Sequence, residues 1–462
     1  MTISQAPEMR SASDDTAFFG HPKGLGFLVA TEAGWAFAYY GMVTILTLYM
    51  TRQLFTPSHI DHIIGFPAYS HALQTMFGKM TTLALASQTF GLVTGFVYVT
   101  PILGGLIADR WLGQRITIIL GLFALTGSMV LLISEATFLF GLLLLVIAGG
   151  LMKSNFLGQV GRLYGPDDPR RTPAYGWFLI AVNIGGLITP LVVGTFAEKV
   201  GYAQGFTAAA VGSAFAVISY LAGLRHLPQD LIIKSSKVAA KAAGHAGSYF
   251  LILGGLLAVL IANILNSGVY NQAFNIFPVW AKDHVDLNLF GFEMPVTWFS
   301  AFDGVMTIVG TAFAVRFWAW QASRGTNPPE TSRIAIGCAL TAGAFSILAI
   351  GALAAHGGKT VIFAPIAFFL LADFAIPWVD TVIMALFSRA APAGATTTLL
   401  GCYYLAAAGG NFLVGWLGRF YEAMSPAAFW ALNAAIGLAA VIYILALGAW
   451  LNRATAEVAA EA

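Results

Sequence analysis

FLFGLLLLVIAGGLMKSNFLGQVGR, residues 138–162, carries no charged residue until Lys153. As a helix it is long enough to cross a hydrocarbon core of about 30 Å, and a helix satisfies its backbone N–H and C=O groups internally, as lipid requires. A lysine at mid-span costs about 2.5–3.5 kcal/mol on insertion scales, so Lys153 needs a partner or a job. Comparable apolar runs lie at about 25–51, 82–108, 114–134, 137–162, 173–196, 203–223, 248–281, 295–320, 332–354, 361–389, 393–420 and 427–450. Each is continuous, without the alternation of a membrane β-barrel strand, so twelve transmembrane helices are expected. The first, seventh and tenth exceed what a bilayer requires, which predicts tilted, kinked or projecting helices.

Composition agrees. The chain is 58% hydrophobic and only 10% charged, with a positive mean hydropathy, against about 25% charge in a soluble domain. A formal charge of +2 is too small for a nucleic-acid partner; the lipid bilayer is the expected one. Residues 1–20 are mixed and polar, so no cleavable signal peptide is expected. Cys338 and Cys402 lie in apolar runs and read as small buried side chains. Of the 23 Lys and Arg residues, sixteen flank the side that holds both termini: Arg10, Lys23, Arg110, Arg115, Arg162, Arg170, Arg171, Arg225, Lys234, Lys237, Lys241, Arg316, Arg324, Arg333, Arg389 and Arg453. Six (Arg52, Lys79, Lys199, Lys282, Lys359 and Arg419) flank the other, and Lys153 lies within a span. The excess places both termini in the cytoplasm.

A basic interval at 225–247 separates a six-helix bundle at 25–224 from a second at 248–451, with a cytoplasmic N-terminal segment at 1–24 and a tail at 452–462. This is an all-α polytopic membrane protein with the plan of a major facilitator, whose halves rock around a site near the bilayer midplane. The connection from Thr51 to about Thr81 holds His59, His62 and His71 and reads as a solvated loop rather than a metal site.

Five acidic or basic residues lie toward the middle of spans, away from their ends: Glu32, Lys153, Asp303, Asp373 and Asp380. Glu32 shares a helical face with Tyr39, seven residues on. Pairing of Glu32 with Lys153 would let both keep their charge. The second half supplies only acids, with Pro377 between Asp373 and Asp380 expected to bend that helix. Burial favours a neutral carboxyl and a nearby cation favours a charged one, so a proton carrier is available without an intramembrane histidine. A cation in one half and anions in the other suit a small zwitterion lying between them. Asp380 could instead only contact a neighbouring hydroxyl. Trp35 and Trp378 beside these groups read first as space-filling. Trp111, Trp280, Trp318, Trp320 and Trp450 read as interface residues near span ends, and paired glycines as close-packing points.

YVTPILGGLIADRWLGQRITII at 98–119, GGLMKSNFLGQVGRLYGPDDPRR at 149–171 and FLIAVNIGG at 178–186 resemble the proton-dependent oligopeptide transporter (POT, or PTR2) family. MPVTWFSAFDGV at 294–305, LLADFAIPWVD at 370–380, SRAAP at 388–392 and GGNFLVG at 409–415 continue the pattern, so the resemblance covers nearly all of 25–450. The departures are specific. The family's first-span ExxERFxYY reads Glu32, Trp35, Ala36, Phe37, Tyr39, Tyr40, without its second glutamate and its arginine; Val43 stands at a further arginine position. Asn271-Gln272 replaces Glu-Gln, Asp303 replaces asparagine, Asp373 replaces glutamate, and Leu179 replaces a tyrosine. The two extra helices of many bacterial members have no room between the halves.

The resemblance implies a proton-coupled symporter importing di- and tripeptides across a bacterial inner (plasma) membrane, monomeric, with protons as coupling ion and no cofactor. It implies that Lys153 binds the peptide carboxylate or alternates between it and Glu32, and that Asp373 takes the amino group. Tyr39, Tyr40, Tyr98, Asn183, Asn271 and Gln272 would contact the peptide backbone. Asp109, Arg110, Arg115 and Pro377 would serve gating, and with the usual glutamates absent the proton must use Glu32, Asp373 or Asp303. The alternative is a facilitator for another small solute: an amino acid, nitrate or a drug-like organic ion. An enzyme is disfavoured, since neither HExxH nor GxSxG occurs, and the two-half plan speaks against a channel.

Overall fold

The computed structural model describes residues 15–165, 168–230, 246–390 and 396–461, with side chains omitted at 246–253, 388–390, 396–401, 449 and 451–461. Arg10, Lys234, Lys237, Lys241, most of the 225–247 interval, and the side chains of Arg453 and of the SRAAP motif therefore lie outside the described residues.

The first half comprises α1 (Lys23–Tyr49), α2 (Phe66–Phe77), α3 (Thr82–Val99), α4 (Pro101–Ile107), α5 (Gly113–Ile133), α6 (Phe138–Arg162), α7 (Arg171–Thr189), α8 (Thr195–Lys199) and α9 (Tyr202–Gly223). The second comprises α10 (Ala246–Tyr270), α11 (Ile276–His284), α12 (Ala301–Ser323), α13 (Glu330–Ala354), α14 (Phe363–Ile376), α15 (Val382–Ala390), α16 (Thr396–Gly418) and α17 (Pro426–Glu461). A two-residue hairpin, β1 (Asn288–Leu289) with β2 (Phe292–Glu293), is a small addition. Among the described residues nine segments are long and apolar enough to cross a membrane. One of them, Thr82–Ile133, turns back at Gly113, whose φ of 77° suits a residue without Cβ. Apolar length thus establishes a multi-span helical membrane protein, while the count of twelve remains an expectation.

The long segments break as their length suggests. After α1 a π-helical turn, Met50–Leu54, continues outward. The seventh run divides at the 3-10 turn Asn271–Ala273, and the tenth at a π segment, Pro377–Thr381. Pro377 lacks the N–H that an α-helix would use there. The connection expected to be a solvated loop instead folds a 3-10 turn, Ile60–His62, and α2, whose Tyr69 hydroxyl donates to Thr89 at 2.8 Å.

Polar side chains inside the spans are largely satisfied locally. Thr31, Thr44 and Thr94 donate to the carbonyls of Phe27, Tyr40 and Phe90, four residues back. Glycines let helices touch: a Cβ on Gly104 would collide with the Gly150 carbonyl, and one on Gly91 would lie 2.7 Å from the Gly415 Cα. Large apolar residues such as Ile218, Phe123 and Ile442 face outward, the surface lipid requires. Trp111, Trp320 and Trp450 are exposed as expected of interface residues. Trp280 is not: it is fully buried, edge-on to Trp430 at 5.4 Å, because α11 turns it into the second bundle rather than toward the membrane surface.

The halves are joined at the Arg52 end. Asn275 accepts from Thr47 at 3.1 Å and donates to Ser87 at 2.6 Å, and Ser87 donates to the Gly415 carbonyl at 3.1 Å. Arg52 meets Asp283 at 2.6 Å, and Glu198 accepts from the Thr297 backbone N–H at 3.0 Å. At the other end Arg115 and Arg162 bond Leu227, Pro228 and Gln229, all within the first half and the segment that follows it.

Candidate functional site

Between the halves lies a cavity of about 610 Å³. Glu32, Trp35 and Tyr40 reach it from α1, Lys153 and Phe156 from α6, and Met384, Tyr403 and Tyr404 from the second half. An adjoining space of about 670 Å³ also touches Lys153 and Tyr404 and extends to Asp109 and Gln114. Together they form a chamber leading toward the end opposite the Arg52 seam.

Lys153 belongs to both spaces. Its Nζ stands 3.5 Å from the ring centre of Tyr98, 5.5 Å from Trp35 and 5.6 Å from Tyr39. Trp35 and Tyr39 stack at 5.1 Å with planes 10° apart. The ammonium is thus held over aromatic faces, an attraction of about 0.5–2 kcal/mol per ring depending on desolvation. Glu32 supplies the opposite charge, buried and within electrostatic reach. No ion pair as short as 4.0 Å joins them among the described residues. The family's lost glutamate and arginine explain the arrangement: Trp35 supplies a ring where a second carboxylate would stand. Ala36, fully buried, packs where a Cβ on Gly185 would press against it, leaving an arginine no space.

The acids of the second half assemble behind the chamber wall. Tyr270, from the end of α10, places its hydroxyl 2.8 Å from Asp373 Oδ1 and 3.1 Å from Asp303 Oδ1. Thr307 donates to Asp303 at 3.2 Å. A phenol has one proton to donate, so both Tyr270 contacts are hydrogen bonds only when one acid carries a proton of its own. The trio is complete with one proton shared between two carboxyl groups. Asp373 is fully buried, and its Oδ2 has no hydrogen-bond partner. Sequence reasoning puts both acids on the chamber wall; neither lines the two spaces described above: Asp373 is enclosed by the packing around α14, and Asp303, half-buried on α12, is tied to Tyr270. Tyr40 lines the chamber with Glu32. Tyr270→Phe should remove the link between the acids and leave Asp373 with a second unpaired oxygen, a loss of about 1–3 kcal/mol. A melting temperature in detergent below that of the wild-type protein, with binding made more pH-sensitive, is the expected result.

The remaining candidates divide. Tyr98 stacks on Tyr404 at 6.4 Å across the chamber. Asn183 donates to Leu179 O at 2.9 Å, within its own helix, and Gln272, fully buried, donates to Val414 O at 3.1 Å. Neither residue lines the two spaces of the chamber. Asn271 sits in the 3-10 turn that breaks the seventh run. Asp109 lines the chamber mouth, while Arg110 is exposed beside it. Arg115 is committed to the segment after α9, donating from Nε to Pro228 O at 2.7 Å. Pro377 starts the π segment that carries Asp380. Asp380 accepts from the Tyr403 hydroxyl, the plainer of its two readings. Trp378 packs edge-on to Trp318 at 5.5 Å, whereas Trp35 lines the chamber. Tyr270 escapes a reading of the sequence: within SGVYNQAF nothing distinguishes it from a packing tyrosine.

Comparisons with known proteins agree with this architecture. The model of the POT family (PTR2) matches residues 113–245 and 251–431. The di-/tripeptide transporter of Lactococcus lactis subsp. cremoris is 26% identical over 502 aligned positions, covering 93% of this chain and 96% of that one. The uncharacterised transporter YclF of Bacillus subtilis is 27% identical over 448, covering 84% and 86%. Among solved structures, the peptide transporter POT in complex with sulfate superposes with a TM-score of 0.80 at 20% identity, over 97% of this chain and 99% of the other. A POT family transporter in complex with a thioalcohol-conjugated peptide gives 0.79 at 19%, over 95% and 98%. At such identities the structures speak to the fold, and the family model, matched over most of the chain, settles the membership: this protein belongs to the POT family of membrane transporters.

Proposed function

We propose that this chain imports di- and tripeptides together with protons across a bacterial inner membrane, by alternating access, as a monomer with both termini cytoplasmic and without a cofactor. The observation that carries the reading is the chamber with its caged ammonium, Lys153, and buried carboxyl, Glu32; Asp303 and Asp373, gathered around Tyr270 behind the wall, would supply the opposite pole once that wall opens during transport. Such a pair of poles matches a peptide's two charged ends. An acid trio holding one proton bears one negative charge, the complement of one ammonium. Asp303, less enclosed than Asp373, is the side from which that ammonium would approach.

With the termini cytoplasmic, the Arg52 seam closes the outside and the chamber leads inward. Protonation of Glu32 from outside frees Lys153 for the peptide carboxylate. Proton loss to the cytoplasm restores the attraction between Glu32 and Lys153 and expels the carboxylate. Names of relatives support the substrate class: the Lactococcus relative is a di-/tripeptide transporter, and a Yersinia enterocolitica relative, 23% identical over 506 aligned positions, is a peptide transporter.

A second reading, a symporter for an amino acid or another small organic ion, draws on the loss of the first-span cations, which leaves Lys153 alone to hold a carboxylate. Competition against labelled dialanine in proteoliposomes separates the two. Di- and tripeptides should compete at concentrations at least about tenfold lower than free alanine, because only a peptide spans both poles, and about 1.4 kcal/mol of added interaction gives that factor. Stronger competition by amino acids would reject the peptide reading.

A further inference from the structure

We infer that the outer face of the first half carries a binding site for a divalent transition cation of the zinc class, made by His59, His62 and Glu135. Their ligand atoms lie within 4.8 Å of one another. His59 Nδ1 stands 2.9 Å from each Glu135 oxygen, and His62 Nδ1 stands 3.3 Å from Oε2. His59 caps the 3-10 turn Ile60–His62 and His62 ends it; residues three apart eclipse in such a turn, so both rings emerge on one side. Glu135 comes from the turn between α5 and α6 and is mostly enclosed, with 19% of its side chain exposed.

Tetrahedral zinc with bonds of about 2.0–2.1 Å holds its ligand atoms about 3.3 Å apart. The histidine–carboxylate separations lie within tenths of an ångström of that spacing, and the two ring nitrogens, within 4.8 Å of each other, would close toward it as the ion enters, with water completing its coordination. Two imidazoles and one carboxylate form a donor set that favours zinc-class cations over calcium or magnesium, which prefer oxygen. The surrounding support is also present: Gln53 Nε2 donates to Glu135 Oε1 at 2.6 Å, fixing the carboxylate as outer partners of metal ligands do. The loop and the turn already share a backbone bond, Ile64 N–H to Ala136 O at 3.2 Å, so a bound ion would fasten two segments held in register. Glu135 precedes α6 and Lys153 lies about four turns along it, so the site is separate from the chamber and the proposal is independent of the transport reading.

The test is calorimetric titration of tag-free, chelator-treated protein in detergent with zinc chloride, paired with thermal unfolding. The wild type should bind one equivalent saturably and melt higher with zinc. The double variant His59→Ala/His62→Ala should lose at least about 100-fold in affinity together with the thermal shift, and Gln53→Ala about tenfold, the usual range for outer partners. Glu135→Gln, which preserves the shape of the group, guards against misfolding and should also weaken binding. Absence of saturable binding by the wild type, or equal binding by the double variant, overturns the assignment and leaves a plain histidine–carboxylate contact.

Discussion

Lys153→Gln should lower the initial rate of dipeptide uptake at low substrate about 100-fold. A hydrogen bond to a charged group contributes about 1.5–3 kcal/mol, and each 1.4 kcal/mol is a factor of ten, so the loss sits at the upper end of that range. The family pattern that this chain resembles shares that demand among several cations. Here Ala36 and Val43 occupy the other cation positions, so the whole demand falls on one ammonium. Stability should not fall in parallel, because a buried charge is removed rather than created. Lys153→Arg should recover only part of the rate: the planar guanidinium would have to enter a cage in which Tyr98 lies 3.5 Å from Nζ. Equal uptake by wild type and Lys153→Gln would remove the ammonium from the mechanism.

Glu32→Gln should abolish concentrative uptake under an imposed pH difference, reducing accumulation at least about tenfold, the factor that about 1.4 kcal/mol of coupling supplies, while counterflow exchange of peptide persists. Glutamine imitates the protonated carboxyl in shape and charge, so Lys153 remains free for the substrate in both orientations. The variant then equilibrates peptide without a proton to drive it. Counterflow and pH-driven uptake measured on the same vesicles separate this outcome from simple inactivation. Loss of both would make Glu32 a structural requirement, and loss of neither would place coupling wholly on the Asp303–Tyr270–Asp373 trio.

Much of the architecture is legible in the sequence because lipid imposes simple rules. Apolar runs mark the helices, Pro377 marks a break, and a lysine in a run such as 138–162 has to face something polar. Glu32 and Lys153 do share one chamber. The partners that complete each cluster are not legible. Tyr270 bridges acids 33 and 103 residues away in the chain, and no local pattern reports which hydroxyl will fall between them. Trp35 reads as filler, yet its ring helps cage the lysine. His59 and His62 read as a solvated loop because Glu135 is supplied from 76 and 73 residues on. Conversely, Asn183 and Gln272 each place an N–H on a backbone carbonyl, of Leu179 and of Val414, contacts that no sequence pattern reports. The enclosure of Asp373 follows from packing around a broken helix, which periodicity alone does not predict.

Proton movement is the most direct measure of the central claim that one chamber couples peptide to proton. Vesicles containing the protein and a trapped pH-sensitive dye, with no initial gradient, are given dialanine or alanine outside. The account predicts internal acidification on adding dialanine, little on adding alanine, and none with Glu32→Gln. Entry of labelled dialanine into wild-type vesicles without accompanying acidification would contradict it.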